Sequence, residues 1–200
     1  MCGVFGAVGS SIDTKLLMSA AGEASKRGPH AFGFSWLSGN EIQTYKGTGP
    51  LSDSLDTLAR TNGARWIVGS SRMATFGSWR ENKNNQPLTV PGVSIVHNGN
   101  VYNASEILFS LGWTPKTESD TEAILALAVS GTEIRQVWNR IIPQVASVIV
   151  IAKYQNVSVF RHMHPVFGLT VDKTSYFGSR PFHHECSMLN NGIPIIYEVN

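Results

Sequence analysis

The chain has 200 residues, a formal net charge of +2 and 42% hydrophobic residues, which is the composition of one ordinary globular domain. Its weak charge, without any clustered run of Lys or Arg, argues against a nucleic-acid-binding face. The longest apolar runs have the length of a strand and are too short to cross a membrane. Residues 1–11 carry no basic segment ahead of an apolar stretch, so no signal peptide is expected.

The two cysteines, Cys2 and Cys186, are too few for a disulfide framework. We therefore expect a reduced, cytoplasmic protein, which suits a thiol nucleophile. Cys186 lies in a polar stretch that we expect to be exposed and without a role.

Predicted strands and helices alternate from the start of the chain. Asp13 is placed to cap a first helix with a stripe of small and apolar side chains. Gly39 and Asn40 form the centre of a predicted two-residue hairpin turn. Apolar runs predict strands at 4–9, 32–36, 42–45, 65–69 and 93–96 and a short helix at 54–61.

The stretch 76–91 is polar and rich in glycine and asparagine. This composition is typical of a mobile surface loop. Next to a candidate site, the same stretch could instead serve as a substrate lid. Either interpretation predicts an exposed segment.

The second half of the chain predicts helices first and strands afterwards. Asn103 is expected to cap a helix that runs to Leu111. Ser119 or Asp120 is expected to cap the next helix, which carries a buried apolar stripe. A third helix is predicted at 132–142, followed by strands at 146–152, 157–160, 168–171, 175–177 and 194–199. No repeat or linker divides the chain, so we expect a single α+β domain over residues 1–200.

Cys2 combines two chemical groups that a catalyst can use. Removal of Met1 would leave a thiol and an α-amine on the same residue. The α-amine titrates near pH 8 and can accept a proton, and a deprotonated thiol is a strong nucleophile. One residue could then supply both nucleophile and base. Without supporting motifs, a cysteine after Met1 would be an ordinary small residue.

Supporting motifs occur in a recognisable order. They are CGVFG at 2–6, RGPHAFG at 27–33, SRMATFG at 71–77, HNGNVYN at 97–103 and SDTE at 119–122. Together they resemble the class II glutamine amidotransferase (glutaminase) domain over roughly residues 2–180. That domain occurs in glucosamine-6-phosphate synthase and amidophosphoribosyltransferase.

The resemblance implies a four-layer αββα sandwich of the N-terminal nucleophile hydrolase type. It also implies hydrolysis of L-glutamine to L-glutamate and ammonia through a thioester on Cys2, without a metal or organic cofactor. The matching positions assign catalysis to Cys2, Asn98 and Gly99. They assign substrate binding to Arg72, Thr75, Asp120 and His97. Arg27 is assigned a supporting role.

The chemistry of glutamine hydrolysis asks for the same residue types. The α-carboxylate of the substrate suits a guanidinium, for which Arg72 is the candidate. The α-ammonium suits a carboxylate, for which Asp120 is the candidate. The oxyanion formed by thiolate attack needs fixed N–H donors, each worth on the order of 3 kcal/mol. The Asn98 side chain and the Gly99 backbone can offer them.

Each of these residues also has an ordinary structural interpretation. Alone, Arg72 suits a surface ion pair, Asn98-Gly99 a type I′ turn and Asp120 a helix cap. Two other functions stay open. An N-terminal nucleophile amidase for another small amide would not need the Arg72–Asp120 pair, and a catalytically silent binding or regulatory subunit would keep the fold with Met1 unprocessed.

The match has several departures. Phe76 stands where the glucosamine-6-phosphate synthase branch has histidine, whereas NQP at 85–87 is similar to the amidophosphoribosyltransferase branch. VAS at 145–147 replaces glycine-phenylalanine-alanine. The histidines at 162, 164, 183 and 184 have no matching carboxylate motif, so no metal site is predicted.

The family usually carries a second domain in which ammonia meets its acceptor. From this resemblance we expect L-glutamine as the substrate and a separate synthase subunit as the partner. Neither nucleic acid nor a membrane is an expected partner.

Overall fold

The computed structural model describes residues 1–142 and 147–199. They form the strands β1 Gly3–Val8, β2 Ala31–Ser38, β3 Glu41–Thr48, β4 Trp66–Arg72, β5 Leu88–Val90, β6 Val93–Asn98, β7 Ser147–Lys153, β8 Asn156–His162, β9 Phe167–Val171, β10 Thr174–Gly178, β11 Ser187–Met188 and β12 Ile195–Glu198. The helices are α1 Thr14–Ser25, α2 Ala104–Ser110, α3 Thr121–Val129 and α4 Ile134–Arg140, and 3₁₀ turns span Leu51–Thr61 and Asn82–Asn84. None of the helices in these described ranges has the length and apolarity that a bilayer-spanning segment requires.

The strands form two antiparallel sheets. The larger has seven strands in the order β11-β9-β10-β1-β4-β2-β3, and the smaller has five in the order β12-β8-β7-β6-β5. β1 lies between β4 and β10, and β6 lies between β5 and β7. The strands that begin or end at the motifs are therefore inside the sheets and not at their edges.

Three apolar clusters define how the layers stack. Valines from both sheets, including Val4, Val68 and Val96, fill the space between the sheets. A second cluster packs α1 and the first 3₁₀ segment on the outer face of the larger sheet. A third packs α2, α3 and α4 on the outer face of the smaller sheet. The order of layers is helix, sheet, sheet, helix, which is the predicted αββα sandwich.

Helix α1 lies unusually close to β1. The Asp13 side chain caps α1 by accepting from the backbone N–H groups of Lys15 at 2.7 Å and Leu16 at 3.3 Å. Alanines cover the face of α1 that meets the sheet. At Gly3, an added Cβ would lie 2.1 Å from the carbonyl oxygen of Ala24, so no side chain fits there. This contact fixes where the chain enters β1, next to Cys2.

Most predicted elements are found within a few residues of their predicted bounds, including the Asp13 cap and the β2–β3 hairpin. The predicted helix at 54–61 is instead a 3₁₀ segment interrupted at Ser54. Asn103 makes no capping bond, because its side chain contacts Arg140 and Ile142. The predicted strand start at residue 146 and most of the VAS segment lie outside the described residues.

The prediction of an exposed segment at 76–91 is wrong for its second half. Asn84 and Asn85 are fully buried, and Gln86 is 5% exposed. β5 follows directly and joins the smaller sheet. The polar side chains can be buried here because each of them forms hydrogen bonds with neighbouring elements. Cys186 is also less exposed than predicted, because it packs against the outer face of the larger sheet.

Substitution Gly3→Ala tests the contact between α1 and β1. The new methyl group would meet backbone on a packed helix, so we expect a loss of about 1–3 kcal/mol or more in the free energy of unfolding. Gly22→Ala on the same helix is the matched control, since its Cβ would lie 3.8 Å from the Leu55 side chain. That variant should gain up to about 1 kcal/mol from helix propensity. Denaturant unfolding of both variants measures the difference, and equal stabilities would contradict the packing.

Candidate active site

Three strand ends meet at one edge of the space between the sheets. β1 begins beside the end of β4, since Gly3 pairs with Ser71, and both strands contact β6. Side chains alternate between the two faces of a strand, and the valines of these strands face the space between the sheets. Cys2, Arg72 and Asn98 lie an even number of residues from those valines. All three therefore point toward the same space.

A cavity of about 150 Å³ opens at this edge. Its lining consists of Met1, Cys2, Met73, Thr75, Asn98, Gly99, Asn100 and His164. The Thr75 hydroxyl donates to Asn100 Oδ1 at 2.9 Å and joins the segments that follow β4 and β6. A larger cavity of about 460 Å³ beside α4 and β12 has no cysteine among its described lining residues. The chemistry of the lining therefore favours the smaller cavity.

The Cys2 thiol is positioned but not activated while Met1 is attached. Its Sγ–H donates to the Met73 carbonyl oxygen at 3.6 Å. Burial raises the pKa of the thiol above its ordinary value, against the opposing effects of the Met73 contact, the chain amino terminus and Arg72. The thiol is thus protonated at neutral pH. To act as a nucleophile it needs a base close by.

Asn98 brings an unused hydrogen-bond donor to the cavity. The residue is 2% exposed, and its Nδ2 has no partner among the described residues, a property it shares only with Ser70 Oγ. A buried donor without a partner costs about 1–3 kcal/mol, so an acceptor that enters the cavity would bind there favourably. Gly99 follows with φ +156°, a backbone conformation that favours glycine.

Arg72 is buried and already bonded. Its Nη1 donates to Asn85 Oδ1 at 2.6 Å, and its Nη2 donates to the carbonyl oxygens of Phe76 and Gly77. Burial lowers the pKa of the guanidinium from its ordinary value. The structure thus shows Arg72 holding the segment after β4, and it is absent from the cavity lining. Among residues 1–142 and 147–199, Arg72 does not form the surface ion pair that its sequence context allowed.

Asp120 occupies the cap position of α3 without capping it. Its Oδ2 instead accepts from the backbone N–H of Val101 at 2.6 Å, which ties α3 to the segment after Asn98 and Gly99. Burial raises the pKa of the carboxyl, while the backbone bonds and Arg72 act in the other direction. Arg72 acts to lower the pKa of the Cys2 thiol and Asp120 acts to raise it, both less strongly than burial.

The His97 side chain points away from the cavity. It shares the helix-covered face of β6, where Nε2 contacts Ser147 Oγ at 3.0 Å and Nδ1 contacts Thr121 Oγ1 at 3.3 Å. Its backbone N–H donates to Gln86 Oε1 at 2.7 Å. Burial lowers the pKa of His97 to about 3. The structure does not bring this predicted substrate-binding residue to the cavity; its contacts fix the end of β6.

Arg27 lies at the entrance to β1. Its Nη2 contacts Met1 Sδ at 3.7 Å, and its Nη1 donates to the Ser179 carbonyl oxygen at 3.4 Å. Ser179 holds the first residues of β1, because its Oγ accepts from Val4 N at 2.8 Å and its own N–H donates to Val4 O at 2.9 Å. These contacts support the position of Cys2.

The family to which the chain belongs follows from a direct comparison. A family model described as the glutamine amidotransferase domain matches residues 71–182, which is more than half of the chain. The chain belongs to this family. In this amidotransferase domain, the matched region contains both the end of β4 and the whole of β6.

Full-length relatives of the amidotransferase domain are considerably longer. The present chain is 26% identical over 210 residues to the glutamine–fructose-6-phosphate aminotransferase (isomerizing) of Bartonella henselae. The match covers 96% of this chain and 34% of that enzyme. The chain is 31% identical over 137 residues to the enzyme of the same name from Agrobacterium fabrum, covering 66% of this chain and 22% of that enzyme. The chain therefore spans about a third of the length of these relatives or less.

Solved structures confirm the fold class of the amidotransferase domain. Glutamine phosphoribosylpyrophosphate amidotransferase from B. subtilis has a TM-score of 0.80 at 22% identity, over 98% of this chain and 47% of that one. A glutamine aminotransferase class-II domain protein from Silicibacter pomeroyi has a TM-score of 0.66 at 13% identity, over 98% and 94% of the two chains.

Sequence reasoning missed several residues of the candidate site. Asn85 and Gln86 were not recognised as the buried partners of Arg72 and of the His97 backbone. Their position, between the arginine that ends β4 and the segment that forms β5, could have indicated that they are buried. The polar composition of the stretch indicated a surface loop instead. Asn100 and His164 also line the cavity, and burial lowers the pKa of His164.

The pKa of His97 gives a testable dependence of stability on pH. Its value of about 3 in the folded state lies below the ordinary value near 6.5. Below about pH 6.5 the unfolded chain binds the proton first, so this residue costs stability as the pH falls toward 3, by up to about 1.4 kcal/mol per pH unit. Above pH 6.5 it has no such effect.

Chemical unfolding between pH 7 and pH 4.5 measures this effect. His97→Gln removes the titrating group, so we expect its stability to fall less steeply than that of the wild type. Identical slopes for the two proteins would mean that His97 is accessible and titrates normally.

Proposed function

We propose that this domain hydrolyses L-glutamine to L-glutamate and ammonia through a γ-glutamyl thioester on Cys2. The observation that carries the proposal is the unpartnered Asn98 amide in the cavity that also holds the Cys2 thiol. Cleavage of an amide by a thiol requires a nucleophile together with fixed N–H donors for the developing oxyanion. We assign both roles to residues on the lining of this small cavity, the nucleophile to Cys2 and the donors to Asn98 and Gly99.

In the proposed first half-reaction, Met1 has been removed and the α-amine belongs to Cys2. The amine accepts the Sγ proton, and the thiolate forms a bond to the side-chain amide carbon of glutamine. Asn98 Nδ2 and the Gly99 N–H donate to the resulting oxyanion. The protonated amine then gives its proton to the amide nitrogen as the C–N bond breaks. Ammonia leaves, and the thioester remains.

The second half-reaction uses the same groups. The α-amine takes a proton from a water molecule, and the hydroxide adds to the thioester carbon. The oxyanion forms again and is held by the same two donors. When the C–S bond breaks, the protonated amine returns its proton to the sulfur. Glutamate leaves, and the thiol and the amine are restored.

Recognition of the α-amino acid part of glutamine is assigned to the charges around the cavity. Asp120 is proposed to bind the α-ammonium through Oδ1, since Oδ2 accepts from Val101. Arg72 is proposed to bind the α-carboxylate. To do so, its guanidinium exchanges the carbonyl of Phe76 or Gly77 for the substrate, so substrate binding would move that segment. Thr75 lines the cavity beside these groups.

The ammonia is proposed to serve a separate acceptor. The Bartonella henselae relative is by name an aminotransferase that acts between glutamine and fructose 6-phosphate. For the present chain we propose only the glutamine half of such a reaction. A second enzyme or domain, distinct from residues 1–200, would then consume the ammonia.

The nucleophile can be identified by intact mass. We expect protein purified from its native host to lack Met1. Treatment with 6-diazo-5-oxo-L-norleucine, a glutamine analogue that alkylates the nucleophile, should attach one molecule to the Cys2 sulfur with loss of its diazo group as N₂. Cys186→Ser serves as the control and should be labelled equally, whereas Cys2→Ala should not react. Retained Met1 with no adduct would contradict the proposal and favour a silent binding or regulatory subunit.

Asn98→Ala separates an oxyanion donor from a structural residue. Loss of one such donor lowers kcat by about 10²–10³-fold, with little change in KM. Because Nδ2 has no partner, its removal breaks no hydrogen bond, and relief of its burial opposes the lost packing of the side chain, so the free energy of unfolding should change by less than about 1 kcal/mol. Glutaminase kinetics and thermal unfolding measure both quantities, with the exposed hairpin variant Asn40→Ala as control. Unchanged kcat would remove the Asn98 part of the mechanism.

A further inference from the structure

A second cavity, of about 220 Å³, lies between β3, β5 and the start of α3. Three lysines line it, Lys46, Lys83 and Lys116, and the buried side chains of Leu88 and Leu125 form its apolar wall. It shares no lining residue with the cavity that contains Cys2. Lys83 and Lys116 are exposed, which leaves the cavity open to solvent.

The positive charge of this cavity is only partly balanced. Lys46 is half-buried, and its Nζ donates to the Asn82 carbonyl oxygen at 3.3 Å. No carboxylate of the described residues forms an ion pair with it. Lys83 pairs with Glu81 at 2.8 Å on the surface. Burial, with a smaller effect from Arg72, lowers the pKa of Lys46 to about 8, as expected for an ammonium group that lacks a counter-ion.

Glu122 is the one carboxylate on the described lining, and its oxygens are occupied. They accept from the Trp113 indole at 2.9 Å and from the backbone N–H of Lys116 at 2.8 Å. They also accept from the backbone and the hydroxyl of Thr117. These donors lower the pKa of Glu122 although burial acts to raise it. Glu122 is therefore ionised and offsets one positive charge of this lining, but its oxygens are held by neutral donors and form no ion pair with any of the three lysines in the described part of the chain.

We propose that this cavity binds a phosphoryl group, with Lys46, Lys83 and Lys116 donating to its oxygens. A phosphate carries more than one negative charge at neutral pH, so a lining that contains three lysines and one carboxylate suits it better than it suits a single carboxylate. The ligand is either an inorganic polyphosphate or a phosphate ester whose organic part rests on Leu88 and Leu125.

The contacts of Lys46 connect this cavity to the candidate active site. Asn82, whose carbonyl accepts from Lys46, also accepts through its side chain from Asn85 Nδ2 at 3.1 Å. Asn85 in turn accepts from Arg72 at 2.6 Å. A phosphoryl group that draws Lys46 away from Asn82 would alter the segment that holds Arg72. This regulatory consequence rests on the proposed function, whereas binding itself does not.

Calorimetric titration tests binding without any assay of glutamine hydrolysis. We expect pyrophosphate or phenyl phosphate to bind with one-to-one stoichiometry and an affinity that falls as salt is added. Tighter binding of pyrophosphate would identify the inorganic ligand, and tighter binding of phenyl phosphate the ester. The Trp113 indole N–H resonance should shift on binding. Absence of binding by both compounds at millimolar concentration would overturn the proposal.

Matched variants locate the site. Lys46→Met and Lys116→Met should each weaken binding about tenfold or more, and Lys46→Arg should retain it within about threefold. Lys15→Met, an exposed lysine of α1, is the control and should bind as the wild type does. Equal losses in Lys15→Met and Lys116→Met would mean nonspecific charge attraction and would overturn the site. Since Lys116 is exposed, its variant also serves if Lys46→Met does not fold.

Coupling between the two cavities is measured last. At a ligand concentration that half-saturates the wild type, KM for glutamine should change, and the Lys116→Met protein at the same concentration should show a much smaller response. Binding without an effect on KM would reject the coupling and keep the binding site. Absence of glutaminase activity with intact binding would instead contradict the proposed function alone.

Discussion

The candidate site depends on the face-to-face packing of the two antiparallel sheets. Side chains alternate along a strand, so a residue that continues an inward-facing series of valines has to point between the sheets. Cys2, Arg72 and Asn98 each continue such a series at the end of a central strand. The same packing that excludes water from the valine layer therefore brings a thiol, a guanidinium and an amide to one edge, although they are far apart in the chain.

The hydrogen bonds of buried polar groups determine which of these side chains still has a donor or acceptor without a partner. In a dry interior a donor or acceptor has to find a partner, and Asn85 and Gln86 supply partners for Arg72 and the His97 backbone. Asp120 does the same for Val101. Asn98 Nδ2 stays without one among the described residues. The surrounding bonds hold the site in place, and the unsatisfied amide is the group to which we assign the oxyanion in the proposed mechanism.

Much of this arrangement could be predicted from the sequence, and the reasons are local. Alternating apolar runs, the Asp13 cap and the Gly39-Asn40 turn determine strands, helix and hairpin over short distances. Of the site residues that the motifs suggested, Thr75, Asn98 and Gly99 line the cavity with Cys2. Burial of Asn84 and Asn85 was not predictable in this way, because it depends on Glu118 and Arg72, which are distant in the sequence. The motif identified His97 as a residue at the end of β6. The direction of its side chain depends on which face of β6 is covered by the helices, and the motif does not contain that information.

The Ser179 contact has a consequence for how the protein is made. Ser179 forms both hydrogen bonds to Val4 across 175 positions of sequence. At the usual pace of translation, residue 179 is added roughly 9 to 35 s after residue 4, so these two hydrogen bonds cannot form earlier. During that interval the first residues of β1 lack these two hydrogen bonds. An aminopeptidase that acts on nascent chains thus meets Met1 well before the cavity closes around it.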